Sequence, residues 1–254
     1  MCGHYASSRR PEDLVEEFAI DRVKVEETLV PDFNVAPTKP VYAVVARPAS
    51  KDDDTLERQL RVLFWGLVPF WAKDPSIGNK MINARMETVE EKPAYRKAFA
   101  TRRCLLPADG YYEWHATDQD PKAAKQRRRP KQPFFIRPAE GGVMAMAGLY
   151  EIWRDPTRDE DDPQRFRWTC TVLTTRAEDA VGHIHDRMPL LVEPMRYGAW
   201  LDPTATDPDA LKELLVPAAP GRLQAYPVST AVNSVRNNGP ELLEPLPVEP
   251  PEPT

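Results

Sequence analysis

The apolar positions of the chain fall mainly into short runs bounded by proline or by charged segments, a pattern that predicts strands. The clearest run, residues 166–175, alternates, so that Trp168, Cys170 and Val172 share one face of the predicted strand. Further strands are predicted within "NVAPTKPVYAVVARP", "RQLRVLFWGLVPFW", "RRCLLPADGYYEW" and "LQAYPVSTAV". The segments "PFFIRP" and "GGVMAMAGLYEIW" are expected to pair like a hairpin.

Helical spacing is confined to a few short segments. Leu14, Val15 and Phe18 follow an acidic first turn at helical spacing, which predicts a short amphipathic helix. Residues 95–99 and the segments "PMRYGAWLDP" and "DPDALKELLVP" predict three more short helices. Strands therefore outnumber helices in the expected core.

Three stretches lack apolar periodicity and divide the chain. The basic stretch 116–132 and the acidic stretch 154–165 are expected to be flexible, solvated insertions. Residues 240–254 form a tail rich in proline and glutamate. The remainder, residues 1–239, is expected to be a single domain.

Composition narrows the class of protein. The chain has 254 residues, 41% of them hydrophobic, with six Trp, eight Tyr and eight Phe, which excludes wholesale disorder. The absence of a long apolar run or a leader-like N-terminus predicts a cytoplasmic protein with no membrane contact. Without the four glutamates of the tail, the net charge of −5 falls to about −1, so charge excludes neither nucleic acid nor other partners.

The cysteines point to reactivity rather than to a scaffold. There are three, Cys2, Cys104 and Cys170, without a CxxC pair, which argues against disulfides and structural zinc. Removal of Met1 would leave Cys2 with an α-amine and a thiol on adjacent carbons. An α-amine has a pKa near ~7.7–8.0, so a substantial fraction is neutral at cytosolic pH. Such an amine forms a Schiff base with an aldehyde, and the thiol then closes a thiazolidine ring.

This chemistry needs groups that transfer protons. Glu113 lies among aromatic residues in "GYYEWH", where burial would raise its pKa, although a plain strand residue is an equal interpretation. His185 in "HIHDRMP" is a candidate acid/base, with a turn-capping histidine as the alternative. Its pairing with His183 in a metal site is weakly supported, and Cu(II) or Ni(II) binding by Cys-Gly-His would be a side reaction. No metal or other cofactor is therefore expected.

Read together, eight ordered blocks are similar to one family. They are "MCG", "NVAPT", "WGLVPFWAKDP", "INARMETV", "RRCLLPADGYYEW", "PFFI", "HDRMP" and "PVSTAVNSVRNNGPELL". Together they resemble the SRAP family, the SOS response-associated peptidase-like proteins, through nearly the whole chain. The resemblance implies a compact α+β domain with a twisted, barrel-like antiparallel β core and flanking short helices.

The resemblance also implies a function. The family shields abasic sites in single-stranded DNA, so Cys2 would form a thiazolidine DNA–protein crosslink with the ring-opened sugar aldehyde. Asn83 would position the amine or the sugar, Glu113 would act as general acid/base, and His185 would assist Schiff-base formation and ring reversal. A monomer suffices for this chemistry.

Further matches imply contacts with DNA. They fall on His4, Asn34, Pro37, Phe70, Trp71, Arg85, Trp114, Thr174 and Arg187. The aromatic side chains and proline would shape a wedge around the lesion, while Arg85 and Arg187 would hold phosphates. The family usually has arginine where this chain has His4, and some relatives have a second arginine at Met188. The resemblance therefore implies a lower DNA affinity, unless the basic segment "KQRRRPK" compensates.

Two other functions remain open from the sequence. The first is a thiol autopeptidase that uses Cys2, Glu113 and His185 to cleave a peptide bond. The second is a non-catalytic binder of single-stranded DNA, which relies on stacking and phosphate contacts.

Overall fold

The structure is a computed structural model that describes residues 3–50, 52–116, 131–177, 179–217 and 219–247. Cys2 and most of the expected basic insertion lie outside the described residues, as does the end of the tail.

The described chain is rich in strands. They are β1 (His4–Ser7), β2 (Arg22–Lys24), β3 (Asp32–Val35), β4 (Pro40–Pro48), β5 (Leu56–Trp65), β6 (Asn83–Arg85), β7 (Arg103–Ala108), β8 (Gly110–Ala116), β9 (Lys131–Pro138), β10 (Met144–Arg154), β11 (Phe166–Arg176), β12 (Arg187–Pro189) and β13 (Leu223–Pro227). The α-helices are α1 (Pro11–Phe18), α2 (Arg96–Thr101), α3 (Asp179–Gly182), α4 (Tyr197–Leu201) and α5 (Pro208–Lys212). The helix predicted from Leu14 and Phe18 is therefore confirmed as α1, whose Leu14 and Phe18 are buried.

The strands form two sheets. Sheet one has the order β13-β9-β8-β1-β3, and sheet two has the order β12-β11-β10-β7-β4-β5-β2. In sheet two, β11 also pairs in parallel with β5, through Thr169 opposite Phe64 and Cys170 opposite Trp65. This pairing closes β5, β4, β7, β10 and β11 into a five-stranded barrel. The expected α+β fold with a barrel-like, largely antiparallel core is confirmed.

Sheet two is buried on both faces. Along β4, Tyr42 and Val44 belong to a core cluster that includes the helices, whereas Val41, Ala43 and Val45 belong to a second cluster shared with sheet one. The predicted face of β11 is confirmed, because Trp168, Cys170 and Val172 all join that second cluster. Burial on both faces explains why β4 is almost continuously apolar.

One predicted pairing is wrong. The strands of "PFFIRP" and "GGVMAMAGLYEIW" do not pair with each other: β9 pairs with β8 and β13 in sheet one, and β10 pairs with β7 and β11 in sheet two. Between them Gly141 and Gly142 both have positive φ, at +80° and +87°. Glycine adopts these angles readily, so the chain turns here from one sheet to the other.

The acidic stretch and the expected tail contain ordered contacts. Residues 155–165 connect β10 to β11 and are crossed by the ion pair of Arg158 with Asp162, at 2.7 Å. Within the expected tail, Leu242 is buried, and Val228 forms a β-bridge with Pro245. The packed chain therefore extends past residue 239 to about residue 246.

A close approach of backbones fixes the end of β5. Gly66 has φ +125°, and a Cβ atom built on it would lie 2.7 Å from the carbonyl oxygen of Gly78. The amide of Gly66 donates to the carbonyl of Cys170 on β11. Glycine is therefore needed for both the angle and the space.

We expect Gly66→Ala to lower the free energy of unfolding by roughly 2–4 kcal/mol, because backbone strain and a displaced backbone add together. Gly141→Ala is the matched control, since Gly141 also has positive φ but has nothing within 4 Å of the position that a methyl group would take. It should cost only about 1–2 kcal/mol. Urea unfolding measures both values, and equal losses would show that the Gly78 contact is unimportant.

Candidate active site

The strand β1 lies beside the strand that carries a buried carboxyl group. β1 runs antiparallel to β8, with His4 opposite Tyr112 and Tyr5 opposite Tyr111. Glu113 follows on β8 and is only 3% exposed. Because side chains alternate along a strand, Glu113 faces the same way as Tyr111, toward the cluster between the two sheets. Cys2, the expected nucleophile, lies outside the described residues.

A buried amide holds His4. The Asn34 side-chain nitrogen donates to the carbonyls of Val232, Ser234 and Asn237, at 3.1, 3.1 and 3.3 Å. These acceptors fix the amide orientation, so its oxygen faces His4 Nδ1 at 2.7 Å and must accept a hydrogen bond. The proton on Nδ1 is therefore assigned. Asn34 is fully buried and has no surface to offer DNA in this state.

Trp114 completes this group. Its ring lies edge-on to the His4 ring, with centroids 5.4 Å apart. The indole nitrogen donates to the side-chain oxygen of Asn233 at 2.7 Å. The C-terminal segment around residues 231–238 thus holds two of the predicted DNA-binding side chains. It contacts Trp114 directly and holds His4 through Asn34.

On the barrel, β6 carries the second group of predicted residues. It pairs in parallel with β11, with Asn83 opposite Val172 and Arg85 opposite Thr174. Ala84 belongs to the core cluster that includes the helices. Its neighbours Asn83 and Arg85 therefore project to the other face of the sheet. Arg85 is exposed, as a phosphate contact requires.

Arg187, expected to grip phosphate, is already engaged by the protein. Its guanidinium donates to both carboxylate oxygens of Glu87, at 2.6 and 3.0 Å, and to the carbonyl of Thr174 at 2.5 Å. The side chain of Arg187 is 11% exposed. Hydrogen bonding from Arg187 lowers the pKa of Glu87. Thr174 is buried, so it too contacts Arg187 rather than solvent.

Sequence reasoning missed Glu87. The only available signal was its spacing, two residues after Arg85 and four after Asn83 in "INARMET". In the structure it ties the segment that carries Asn83 to the strand β12 that carries Arg187.

His185 is oriented by the chain that follows it. Its Nδ1 lies 2.9 Å from both the backbone nitrogen of Arg187 and the Oδ1 atom of Asp186. A backbone N–H can only donate, so Nδ1 accepts from Arg187 and the proton of the neutral ring lies on Nε2. With Nδ1 accepting, the neutral ring has no proton for the nearby Asp186 carboxylate, whose charge is screened by water because that side chain is 87% exposed.

Two contacts join the sheet-one and sheet-two groups. Tyr5, next to His4, packs edge-on against Trp65, whose indole nitrogen donates to the carbonyl of Ile82 at 2.9 Å. At the other side, the His115 ring on β8 lies 6.1 Å from the ring of His183. Side-chain contacts therefore link β1 to the segment before Asn83, and link β8, which carries Glu113, to the segment before His185.

Two aromatic side chains on the loop that follows β5 are exposed. Phe70 and Trp71 are 51% and 50% exposed, unlike core aromatics. Their loop is held in place, since the Phe70 amide donates to Glu151 at 3.3 Å and Lys97 lies 4.4 Å from the centre of the Phe70 ring. Pro37 lies in the turn between β3 and β4, half-buried. These side chains have the exposure that the predicted wedge requires.

Within the described ranges, no group of three or more His, Cys, Asp or Glu residues is arranged to hold a metal ion. Among the same residues, no helix has the length and apolarity to cross a membrane.

The family model of the SOS response associated peptidase, SRAP, matches residues 1–235. The chain belongs to the SRAP family. Three curated relatives, all named abasic site processing proteins, support this membership. YoqW of Bacillus subtilis is 41% identical over 96% of this chain and 99% of its own. YedK of Escherichia coli is 30% identical over 97% of this chain and 100% of its own. HMCES of Gallus gallus is 33% identical over 85% of this chain and 66% of its own.

Solved structures share the SRAP fold. A protein from Bacteroides thetaiotaomicron has a TM-score of 0.76 at 23% identity, covering 96% of this SRAP chain and 100% of its own. A phage-related protein from Bordetella bronchiseptica has a TM-score of 0.60 at 29% identity, covering 89% and 94%.

We expect Glu87→Gln to lower the free energy of unfolding of this SRAP protein by about 1–2 kcal/mol at pH 7, because Arg187 loses a charged acceptor. Since the pKa of Glu87 is lowered in the folded state, its stabilisation is complete above the unfolded pKa, near ~4.3, and is lost as pH falls through the folded pKa. The difference between wild type and variant should therefore shrink in acid.

Glu90→Gln is the matched control, because Glu90 forms an ion pair at 2.9 Å with Lys212, whose side chain is 49% exposed, whereas that of Arg187 is 11% exposed. It should cost less than about 0.5–1 kcal/mol. Urea unfolding at pH 7 and in acid measures both variants. A loss in Glu87→Gln that does not change with pH would contradict the ionic role of Glu87.

Proposed function

We propose that this SRAP protein recognises abasic sites in single-stranded DNA and shields them by a covalent thiazolidine crosslink through Cys2. The observation that carries the proposal is the match, along 96% of the chain, to a relative that is named an abasic site processing protein. The burial of Glu113 on the strand next to β1 supports it, because a proton-transfer group is needed near the N-terminus.

The chemistry requires no external reagent. After removal of Met1, the neutral α-amine of Cys2 attacks the aldehyde carbon of the ring-opened sugar and forms a carbinolamine. Loss of water gives a Schiff base, and the Cys2 thiol adds to its carbon while its proton passes to the nitrogen. The closed thiazolidine thus contains all atoms of both reactants except one water.

Three side chains have proposed roles in these steps. Glu113 acts as the general acid/base that dehydrates the carbinolamine. Asn83 positions the amine or the sugar. His185 assists Schiff-base formation and ring reversal, and the Nε2 proton assigned to its neutral ring supports a role as donor.

The remaining residues divide into contacts and supports. Arg85 holds a phosphate, and Phe70 and Trp71, with Pro37 and Trp114, form the wedge. His4 contacts DNA from the face shared with Trp114. Asn34, Thr174 and Arg187 are buried or engaged by the protein, which supports positioning roles for them.

The first test is a crosslinking assay on single-stranded DNA that contains one abasic site. Wild type should form a denaturant-resistant adduct whose mass lacks Met1 and one water relative to the sum of protein and DNA. Cys2→Ala, which keeps Cys104 and Cys170, should form none. A tetrahydrofuran analogue, which lacks the aldehyde, should also give none.

Failure of a Met1-processed wild type to form the adduct would overturn the proposal. Cleavage of peptide substrates by that protein would then favour the autopeptidase. Full retention of DNA shielding by Cys2→Ala would instead favour a non-catalytic binder.

Binding should also weaken steeply with salt, because phosphate contacts release counterions. We expect Arg85→Gln to reduce the slope of log affinity against log salt by about 0.7, the value for one contact to a single strand. Arg22→Gln, whose arginine pairs with Glu57 at 2.6 Å on the edge strand β2, should leave the slope unchanged. Fluorescence anisotropy on the tetrahydrofuran strand measures both. A flat dependence would contradict phosphate gripping.

A further inference from the structure

A cavity of about 260 Å³ lies at the crossing of Gly66 and Gly78, both of which line it. It is bounded by the end of β5, the start of β11 and the 3₁₀ segment Pro75–Lys80. None of the residues assigned above to catalysis or DNA contact lines it.

The cavity is tied to the site on three sides. Thr38, on its rim, follows Pro37 directly, and Val68 precedes the Phe70–Trp71 pair by two residues. On β11, Thr169 in the cavity wall lies three residues before Val172, the partner of Asn83, which corresponds to about 10 Å. A nucleotide that neighbours the lesion would therefore be within reach of this cavity.

One wall offers a planar stacking surface. The guanidinium of Arg167 lies over the Phe64 ring, 4.6 Å from its centre. Such a contact holds the guanidinium over the ring, and Arg167 remains exposed. Unpaired bases stack on aromatic rings and on arginine planes of this kind.

The 3₁₀ segment and the residue before it bring groups that suit the edge of a base to the lining. Asn79 is exposed and lines the cavity, and its amide matches the paired donor and acceptor of adenine. Asp74 accepts from the Ser76 amide at 2.7 Å, and this bond lowers the pKa of Asp74. A carboxylate accepts from base amino groups but repels a phosphate, so the cavity favours the base over the backbone.

The walls are held rigidly. Gly66 and Gly78 cross without room for a side chain, and the Val68 amide donates to the Thr169 hydroxyl at 2.9 Å. A preformed cavity orders few side chains on binding, which lowers the entropic cost.

We propose that this cavity is a subsite for the base of a nucleotide that flanks the abasic site in single-stranded DNA. The proposal deepens the proposed function and rests on it. The base would stack on the outer face of Arg167 and present its edge to Asn79 and Asp74.

The test measures binding without crosslinking chemistry. Fluorescence anisotropy is recorded on strands with a tetrahydrofuran lesion and a second tetrahydrofuran at each neighbouring position in turn. For wild type, loss of the base at one position should weaken binding roughly 5-fold or more, as expected for one stacked base. The double variant Asn79→Ala, Arg167→Ala should bind the complete strand correspondingly less tightly and should not respond to loss of that base.

Two further variants separate stacking from charge and from misfolding. Arg167→Lys keeps the positive charge but loses the planar guanidinium. The slope of log affinity against log salt should therefore stay the same, while most of the effect of removing the neighbouring base should be lost. Arg22→Gln should lose as much affinity as wild type when the neighbouring base is removed. An unchanged thermal unfolding temperature shows that each variant is folded. If wild type and the double variant respond equally at every position, the subsite is overturned.

The result is independent of the crosslink. A wild type that forms the adduct but shows no dependence on a neighbouring base loses the subsite and keeps the proposed function. A wild type that binds with base dependence but forms no adduct keeps the subsite as part of a passive binder.

Discussion

The parallel pairing of β5 with β11 is the constraint on which the site depends. It closes the barrel, and it ends at Gly66, where the chain leaves β5 and crosses Gly78. Because the register then continues along β11, β6 takes the next parallel position and sets Asn83 opposite Val172. The loop with Phe70 and Trp71 lies between these two pairings in sequence. A change at the Gly66 crossing would therefore move the loop and Asn83 together.

Two histidines of the candidate site, His4 and His185, are each held in place by a second residue, Asn34 and Arg187 respectively. Asn34 donates its amide hydrogens to three carbonyls and so aims its oxygen at His4. The guanidinium of Arg187 binds Glu87 and Thr174, while its backbone amide orients His185. Asn34 is fully buried, the Arg187 side chain is 11% exposed, and both are hydrogen-bonded, which fixes geometry at little cost in conformational entropy when substrate binds. Motif matching alone predicted direct contacts with DNA for Asn34 and Arg187 and did not show that they hold other side chains of the site.

The sequence predicted the features that depend on the local spacing of apolar residues. The helix α1 and the common face of Trp168, Cys170 and Val172 follow from the spacing of apolar side chains alone. The pairing of β9 with β10 was predicted wrongly, because alternation shows that a strand has two faces but not which edge it meets. The Glu87–Arg187 pair was missed for a similar reason, since its partners are 100 residues apart in the chain. The position of Cys2 stays outside what the structure describes.

The resemblance to the SRAP family predicts an arginine where this chain has His4, and Asn34 gives this difference a physical meaning. An arginine offers a fork of donors on a long stem, whereas His4 gives its Nδ1 proton to Asn34 and can direct only Nε2 elsewhere. The ring is also held against Trp114, so it extends the aromatic surface instead of reaching outward. Under the proposed function, the DNA affinity would then come from stacking and from the exposed Arg85. The cavity beside Phe64 and Arg167 would supply stacking on a neighbouring base, and it does so through contacts that do not weaken with salt as a phosphate contact does.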